Sequence, residues 1–530
     1  MKKTVSILLA LLLLISLLAG CGGDTKPIDS STSHEMVNTL DGKGTVPADE
    51  QKSFTIYSGM KPHTLDPFDF QYGCETTIGD LIYSPLLFAY EGENKENVRY
   101  NIVTAYEELS DADGYLFTIR DGVKFSNGEA LTADDVAFTL ETYATTAYTA
   151  TDYEKIDHCE VVDDTHVRVI LREPFNALIP LLPDVYVVAK DYYAEVGTEG
   201  YTENPVFTGP YVIEKQDAAT GNITFKKNPS YYGDPGYVDT IEFRVISDLS
   251  TALVAFKNGE INTINCSGTV YADLKDNENV DFLVTPSAIF GQLFFNTSVE
   301  PMNDPVFRKA IAYALDNEAF ALAANGDYGY KLVDTQWSDS WGEMPVHVEG
   351  YEYNPEKAKE LLTQAGYTLP YDLGTLTCTA RWTDLCDVIQ QCLHDVGIEV
   401  KLESADGGAW IMGLITGDYK VTYMLENDLM SDPAVGFKTF LHSSAIDNTN
   451  MVRYNNPELD RLLDLATSTK DPAEKQQALG EALKIVNEDL PAYSIYTTDL
   501  AQAVTKGLTF NVNDITPGDH AYYYRWFWAK

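Results

Sequence analysis

Beyond its first fifty residues the sequence predicts an α/β protein. Strand-like stretches broken by Asp-Gly and Asn-Gly turns lie between Tyr115 and Gly128. A hairpin pattern follows between Gly209 and Lys226. Four helices open with the same Asx-Pro signal, and stretches of strand character alternate with them. Such alternation points to helices packed on sheets, not to a bundle or a sandwich.

Ser53 to Ser58 reads as a short strand, and Ile78 to Tyr90 as an apolar stretch with an aromatic end. Tyr115 to Arg120 alternates with the period of a strand and runs into Asp121-Gly122, a turn signal. Val123 to Phe125 is predicted to resume the strand until Asn127-Gly128 breaks it. Thr132 then caps a helix, with Asp135 three residues on to complete a capping box. Gly209-Pro210 opens a hairpin of Tyr211 to Glu214 and Ile223 to Lys226, bent at Gly221-Asn222. The four similar helix starts are Asp304-Pro305, Asn354-Pro355, Asn456-Pro457 and Asp471-Pro472. In each, the Asx side chain can satisfy an orphan N–H, and proline has none to satisfy. The helix after Asn354 is predicted to end at Gly366.

The first fifty residues are different material. Lys2 and Lys3 precede an uncharged apolar run from Val5 to Ala19, which reads as an export signal over residues 1–20. That run is short for a spanning helix, which needs about 20 apolar residues. It ends in Leu18-Ala19-Gly20-Cys21, which resembles the lipobox of bacterial lipoproteins. The resemblance implies cleavage before Cys21 and diacylation of its sulfur; a plain secretory signal is the alternative. Residues 21–50, rich in Gly, Ser, Thr, Asp and Pro, are expected to form a flexible tether.

With 45% hydrophobic and 22% charged residues the composition is ordinarily globular. Its 80 acidic against 37 basic residues give a formal net charge of −43. A binder of nucleic acid must neutralise phosphates with a basic surface, so that class is disfavoured. Adhesion to anionic lipid through basic patches is disfavoured as well. No C-x-x-C pair occurs among Cys74, Cys159, Cys266, Cys378, Cys386 and Cys392, which are expected to be buried free thiols.

Motifs of catalysis are missing from the chain. There is no G-x-x-x-x-G-K-[ST] loop, no G-x-G-x-x-G, no G-x-S-x-G and no H-E-x-x-H. The eight histidines show no metal-ligand spacing. No cofactor or metal is therefore expected. Glycoside hydrolysis needs only two well-separated carboxylates, and 80 acidic residues make close pairs inevitable. A secreted surface hydrolase thus stands as the alternative from another functional class.

From Tyr115 the stretch YLFTIRDGVKFSNGEALTADDVAFTLE resembles the family 5 extracellular solute-binding proteins, the dipeptide-, oligopeptide- and nickel-binding components of ABC importers. TGPYVIEKQ and KKNPSYYG, ALVAFKNGEINTI, FFNTSVEPMNDPVFRKAIAYALD, YNPEKAKELLTQAGY, IQQCLHDVGIEVKL and NNPELDRLLDLA follow in family order. The resemblance implies a type II periplasmic-binding-protein fold of two lobes joined by a hinge. The solute-binding domain would span 51–530. Lobe 1 would comprise about 51–82, 208–290 and 500–530, with an extra subdomain at about 83–207; lobe 2 would comprise about 291–499. It also implies a lipid-anchored extracytoplasmic protein that passes short peptides to permease subunits powered by separate ATPase subunits. A nickel-chelate or other small-solute binder is the alternative within the family.

The resemblance also implies site residues. Arg381, in TARWTD, stands where dipeptide-binding members hold the ligand carboxylate, a pairing suited to the guanidinium fork. Asp428, in MLENDLMSDP, matches the aspartate that holds the ligand ammonium. The later Asp-Pro of that motif falls at Asp432-Pro433, one residue further on, and Leu425 replaces the family's usual Trp. Trp410, in GGAW, matches an aromatic near the cleft, with Trp382 and Tyr423 as further candidates.

Overall fold

The computed structural model describes residues 33–34, 52–71, 73–90, 98–109, 114–146, 153–175, 178–234, 236–379, 382–405, 407–428, 432–510 and 523–528. The export signal, Cys21 and Arg381 lie outside them, as does most of the 21–50 segment.

Local signals translate directly into elements. Ser53–Ser58 is a strand, and the apolar stretch after it divides into the helix Gly73–Ile82 and the strand Leu87–Tyr90. Gly114–Ile119 is a strand that ends at the Asp121-Gly122 turn, where Gly122 has φ 79°. Val123 to Phe125 does not resume it. Turns at Gly122 and Gly128, the second with φ 92°, bound this stretch, and across the second it makes only the single bridge Lys124↔Ala130. The Asp135 carboxylate accepts from the Thr132 N–H at 2.9 Å, closing the capping box of Ala133–Tyr143. Tyr211–Gln216 and Ile223–Lys227 pair antiparallel, as the hairpin pattern requires.

All four Asx-Pro signals open helices: Pro305–Ala314, Pro355–Gln364, Pro457–Ser468 and Pro472–Asp489. A fifth of the same design, Pro433–Leu441, begins at Asp432, whose side chain accepts from the Ala434 N–H at 2.9 Å. Six free cysteines are present among the described residues, three of them buried. Burial pushes the Cys74 and Cys266 thiols up to about 12, so neither carries a reactive thiolate at neutral pH.

The sheets divide the molecule. Ser53–Ser58, Thr240–Val245, Ile223–Lys227 and Tyr211–Gln216 form one four-stranded sheet in that order. Val103–Glu108, Gly114–Ile119, His166–Leu171 and Ile156–Asp163 form another. Both feed one hydrophobic core that runs from Phe54 to Phe243 and takes in Leu508 and Trp526 near the chain's end. The largest sheet has eight strands. Its path runs Ser33–His34, Tyr330–Leu332, Ala492–Thr505, Val280–Phe295, Val421–Asp428, Tyr371–Thr379 and Ile398–Ala405, with Thr263–Asn265 pairing on Ala492–Thr505. Two further cores cover the faces of this sheet. Leu293 and Phe295 enter one and Phe294 the other, as the two-residue period of a strand dictates. Ser33–His34, within the segment expected to be a tether, supplies an edge strand of this sheet.

Val280–Phe295 and Ala492–Thr505 are 16 and 14 residues long, well beyond the usual strand. Their outer halves carry Leu283 and Val504 into the first core, and their inner halves carry Leu293, Tyr493 and Tyr496 into the second. Their pairing slips between Thr285 and Ile289, around Pro286, which has no N–H to give the ladder.

Gly291 faces Tyr496 across this pair, and a Cβ there would stand 2.2 Å from the tyrosine ring. Tyr496 is itself fixed, because its hydroxyl shares a 2.7 Å hydrogen bond with that of Tyr423. Gly291→Ala is expected to destabilise the protein by about 2 kcal/mol, a typical cost of overpacking. A urea unfolding midpoint indistinguishable from wild type would contradict this packing.

Candidate functional site

Three strand-loop-helix units of the large sheet carry the sequence candidates that lie among the described residues. Tyr371–Thr379 runs parallel to Ile398–Ala405, with Thr379 opposite Ala405. It also runs parallel to Val421–Asp428, with Leu376 opposite Val421. All three strands therefore end on the same side of the molecule. Each then turns into a helix: Thr383–Asp395, Gly407–Thr416 and Pro433–Leu441. The carboxyl ends of parallel strands are where open α/β sheets bind ligands, because the chain leaves a crevice as it turns to the covering helices.

Asp428 is the last residue of its strand and pairs in register with Ala288, at the place where the two longest strands slip. Arg381, outside the described residues, comes two positions after Thr379 in sequence. Trp382 stands immediately before the helix that follows, and Trp410 lies in the first turn of the helix after Ala405.

The three aromatic candidates are in contact. The Trp382 ring lies 5.5 Å from that of Trp410, edge to face at 71°, and 5.4 Å from that of Tyr423 at 87°. These are favourable quadrupole geometries. Trp382 is half-buried, whereas Trp410 and Tyr423 are only 5% and 1% exposed. The Trp410 indole N–H donates to Thr422 Oγ1 at 3.0 Å, and that hydroxyl donates to the Thr377 carbonyl at 2.7 Å. Trp410 thus links its helix to two of the three parallel strands. It also forms part of the wall of a cavity of about 620 Å3, together with Thr375, Thr377, Glu403 and Lys420. Its lining also takes in Gly417 to Lys420, just before Val421–Asp428, and not Asp428, Trp382 or Tyr423. Thr422, Thr377 and Tyr496 had no mark in the sequence; each is a common residue whose role comes from its partner.

Histidines take structural parts. His63 sits between Glu75 Oε1 at 2.5 Å and Asp69 Oδ2 at 3.2 Å, and His158, His166 and His394 each pair with a nearby carboxylate. Among the described residues no group of three or more His, Cys, Asp or Glu could hold a metal ion. None of the described helices is long and apolar enough to cross a membrane.

Residues 97–448 match the family model of bacterial extracellular solute-binding proteins, family 5 (middle region). The chain belongs to this family. Family 5 proteins are transport binding proteins and not enzymes, which removes the hydrolase alternative. The oligopeptide-binding protein AppA of Bacillus subtilis (strain 168) is 24% identical over 538 residues, covering 96% of each chain. The glutathione-binding protein GsiB of Escherichia coli O1:K1 / APEC is 26% identical over 485 residues, 86% of this chain and 91% of its own. The structure of AppA from Bacillus subtilis in complex with a nonapeptide superposes with a TM-score of 0.80 over 90% of this chain and 99% of that one, at 24% identity. That of NikZ from Campylobacter jejuni with Ni(L-His) gives 0.79 over 90% and 99%, at 20% identity. The family 5 periplasmic-binding-protein fold is thereby established for this α/β chain.

Proposed function

We propose that this family 5 protein is a lipid-anchored extracytoplasmic binding protein that captures short peptides between two lobes. It then delivers them to an ABC permease driven by separate ATPase subunits. The observation that carries the ligand reading is the set of parallel strands that end on one side of the molecule, with Asp428 last in its strand. Val421–Asp428 pairs along one edge with Ala288 to Phe295. On its other edge the register with Tyr371–Thr379 is limited to Leu376↔Val421. A short peptide can lie in the crevice beyond those strand ends. Asp428 would then answer its ammonium and Arg381 its carboxylate, while Trp410, Trp382 and Tyr423 back the site. The printed names of AppA and GsiB, an oligopeptide binder and a glutathione binder, support a ligand of this chemistry.

Lobe 1 comprises about 51–82, 208–290 and 500–530 with the subdomain 83–207, and lobe 2 about 291–499. The crossings of Val280–Phe295 and Ala492–Thr505 form the hinge between them. Away from that hinge the parts also meet. Val435 is buried in the first core, and Lys470 Nζ lies 2.5 Å from Glu108 Oε2. Ligand would favour closure through contacts made only in the closed form.

Mass spectrometry of ligand released from gently purified protein tests the peptide reading. Unmodified short peptides are expected. A nickel chelate in their place would favour the alternative within the family. The anchor has its own test: Cys21→Ala should move the protein from the membrane fraction to the soluble one. Unchanged membrane association would refute lipidation at Cys21.

A further inference from the structure

The first strand of the chain lies on an unexpected part of the molecule. Ser33 pairs antiparallel with Lys331, and His34 with Tyr330. Tyr330 and Leu332 are buried in the second core, and their strand pairs on its other side with Thr497 and Tyr496 of the long strand Ala492–Thr505. The chain joins the first core only afterwards, through the strand Ser53–Ser58. The segment that leads in from the export signal is thus fastened to the second lobe before it builds the first.

From this we infer that residues around Ser33–His34 act as a docking strand, which attaches the anchored end of the protein to lobe 2 at the edge Tyr330–Leu332. Two physical arguments support it. A bare sheet edge presents unpaired N–H and C=O groups and invites pairing with other chains, so covering it is favourable. The covering segment is also intramolecular, so its effective concentration at the edge is high.

Geometry gives the consequence. Eleven residues separate Cys21 from Ser33, and the twelve steps between the two span at most about 43 Å even when fully extended. In a protein lipidated at Cys21, the edge Tyr330–Leu332 is held within that distance of the membrane. Lobe 2 becomes the fixed lobe, and lobe 1 moves against it. The docked strand is one strand away from the hinge crossing at Thr497, so anchor and hinge share a sheet. This orientation rests on lipidation at Cys21; the docking itself does not.

Hydrogen exchange of the full chain provides the test. Successive N–H groups of Tyr330–Leu332 point to opposite edges of the strand. Those directed at Ala492–Thr505 are an internal control, and those directed at Ser33–His34 report docking. In wild type both sets should be protected. In S33P/H34P the outward set should exchange at least tenfold faster while the control set keeps its protection. Outward amides that already exchange at free-peptide rates in wild type, or that are unaffected by S33P/H34P, would overturn the inference. Cys21→Ala should leave the exchange pattern as in wild type, so failure of the lipid reading is distinguishable from failure of docking.

Discussion

Asp428→Asn is expected to weaken binding of free-amine peptides by about 2–5 kcal/mol, the range for removal of one partner from a buried charge pair. A short peptide is a zwitterion, and a cleft that encloses it has to answer both termini. Leaving either charge desolvated and unpaired is costly, on the order of several kcal/mol. Asp428 ends its strand opposite Ala288, beside the register slip of the two longest strands. Arg381→Ala should show the mirror pattern, with a large loss for peptides bearing a free carboxylate and little further loss for amidated ones. That holds for ligands short enough for both ends to be held. Isothermal calorimetry of both variants reads these differences directly. A loss in Asp428→Asn as large for acetylated as for free peptides would mean that the aspartate shapes the site without pairing with the ammonium.

Trp410→Ala should cost about 3–5 kcal/mol of folding stability, as expected when a buried indole is deleted from a packed core. Trp410 is 5% exposed, packs edge-to-face on Trp382 and donates its N–H to Thr422. Its loss also frees Trp382, which adjoins Arg381 in sequence, so peptide affinity should fall along with stability. Trp382→Ala removes a half-buried side chain and should cost less stability. Urea denaturation of the two variants gives the comparison. Equal, small losses would mean that the aromatic cluster is loosely packed.

Much of the fold was legible because its signals are local. An Asx side chain before proline satisfies its helix terminus whatever the rest of the chain does, and all four such signals opened helices. Asp432-Pro433 carries the same signal and opens a fifth such helix. Val123 to Phe125 is cut short as a strand because it pairs only with Glu129 to Leu131 across the Gly128 turn, through one bridge and two backbone hydrogen bonds. Pairing of Ser33–His34 with Tyr330–Lys331 joins residues nearly 300 positions apart in sequence. No propensity in a Ser- and Thr-rich segment announces such a contact. Within the site, sequence named the aromatic residues but not their arrangement. The Trp382 contacts to Trp410 and Tyr423 depend on three parallel strands ending together. Gly291 and Tyr496 show the same limit, since the need for glycine appears only when the tyrosine is opposite.

The peptide reading is tested most directly on the wild-type protein, by calorimetry with one short peptide in its free and N-acetylated forms. Acetylation removes the ammonium and leaves the side chains and the carboxylate unchanged. A site built around an Asp428 clamp predicts that the acetylated peptide binds more weakly by about 2–5 kcal/mol. Equal affinity for the two forms would contradict the clamp and, with it, the peptide-capturing function proposed for this site.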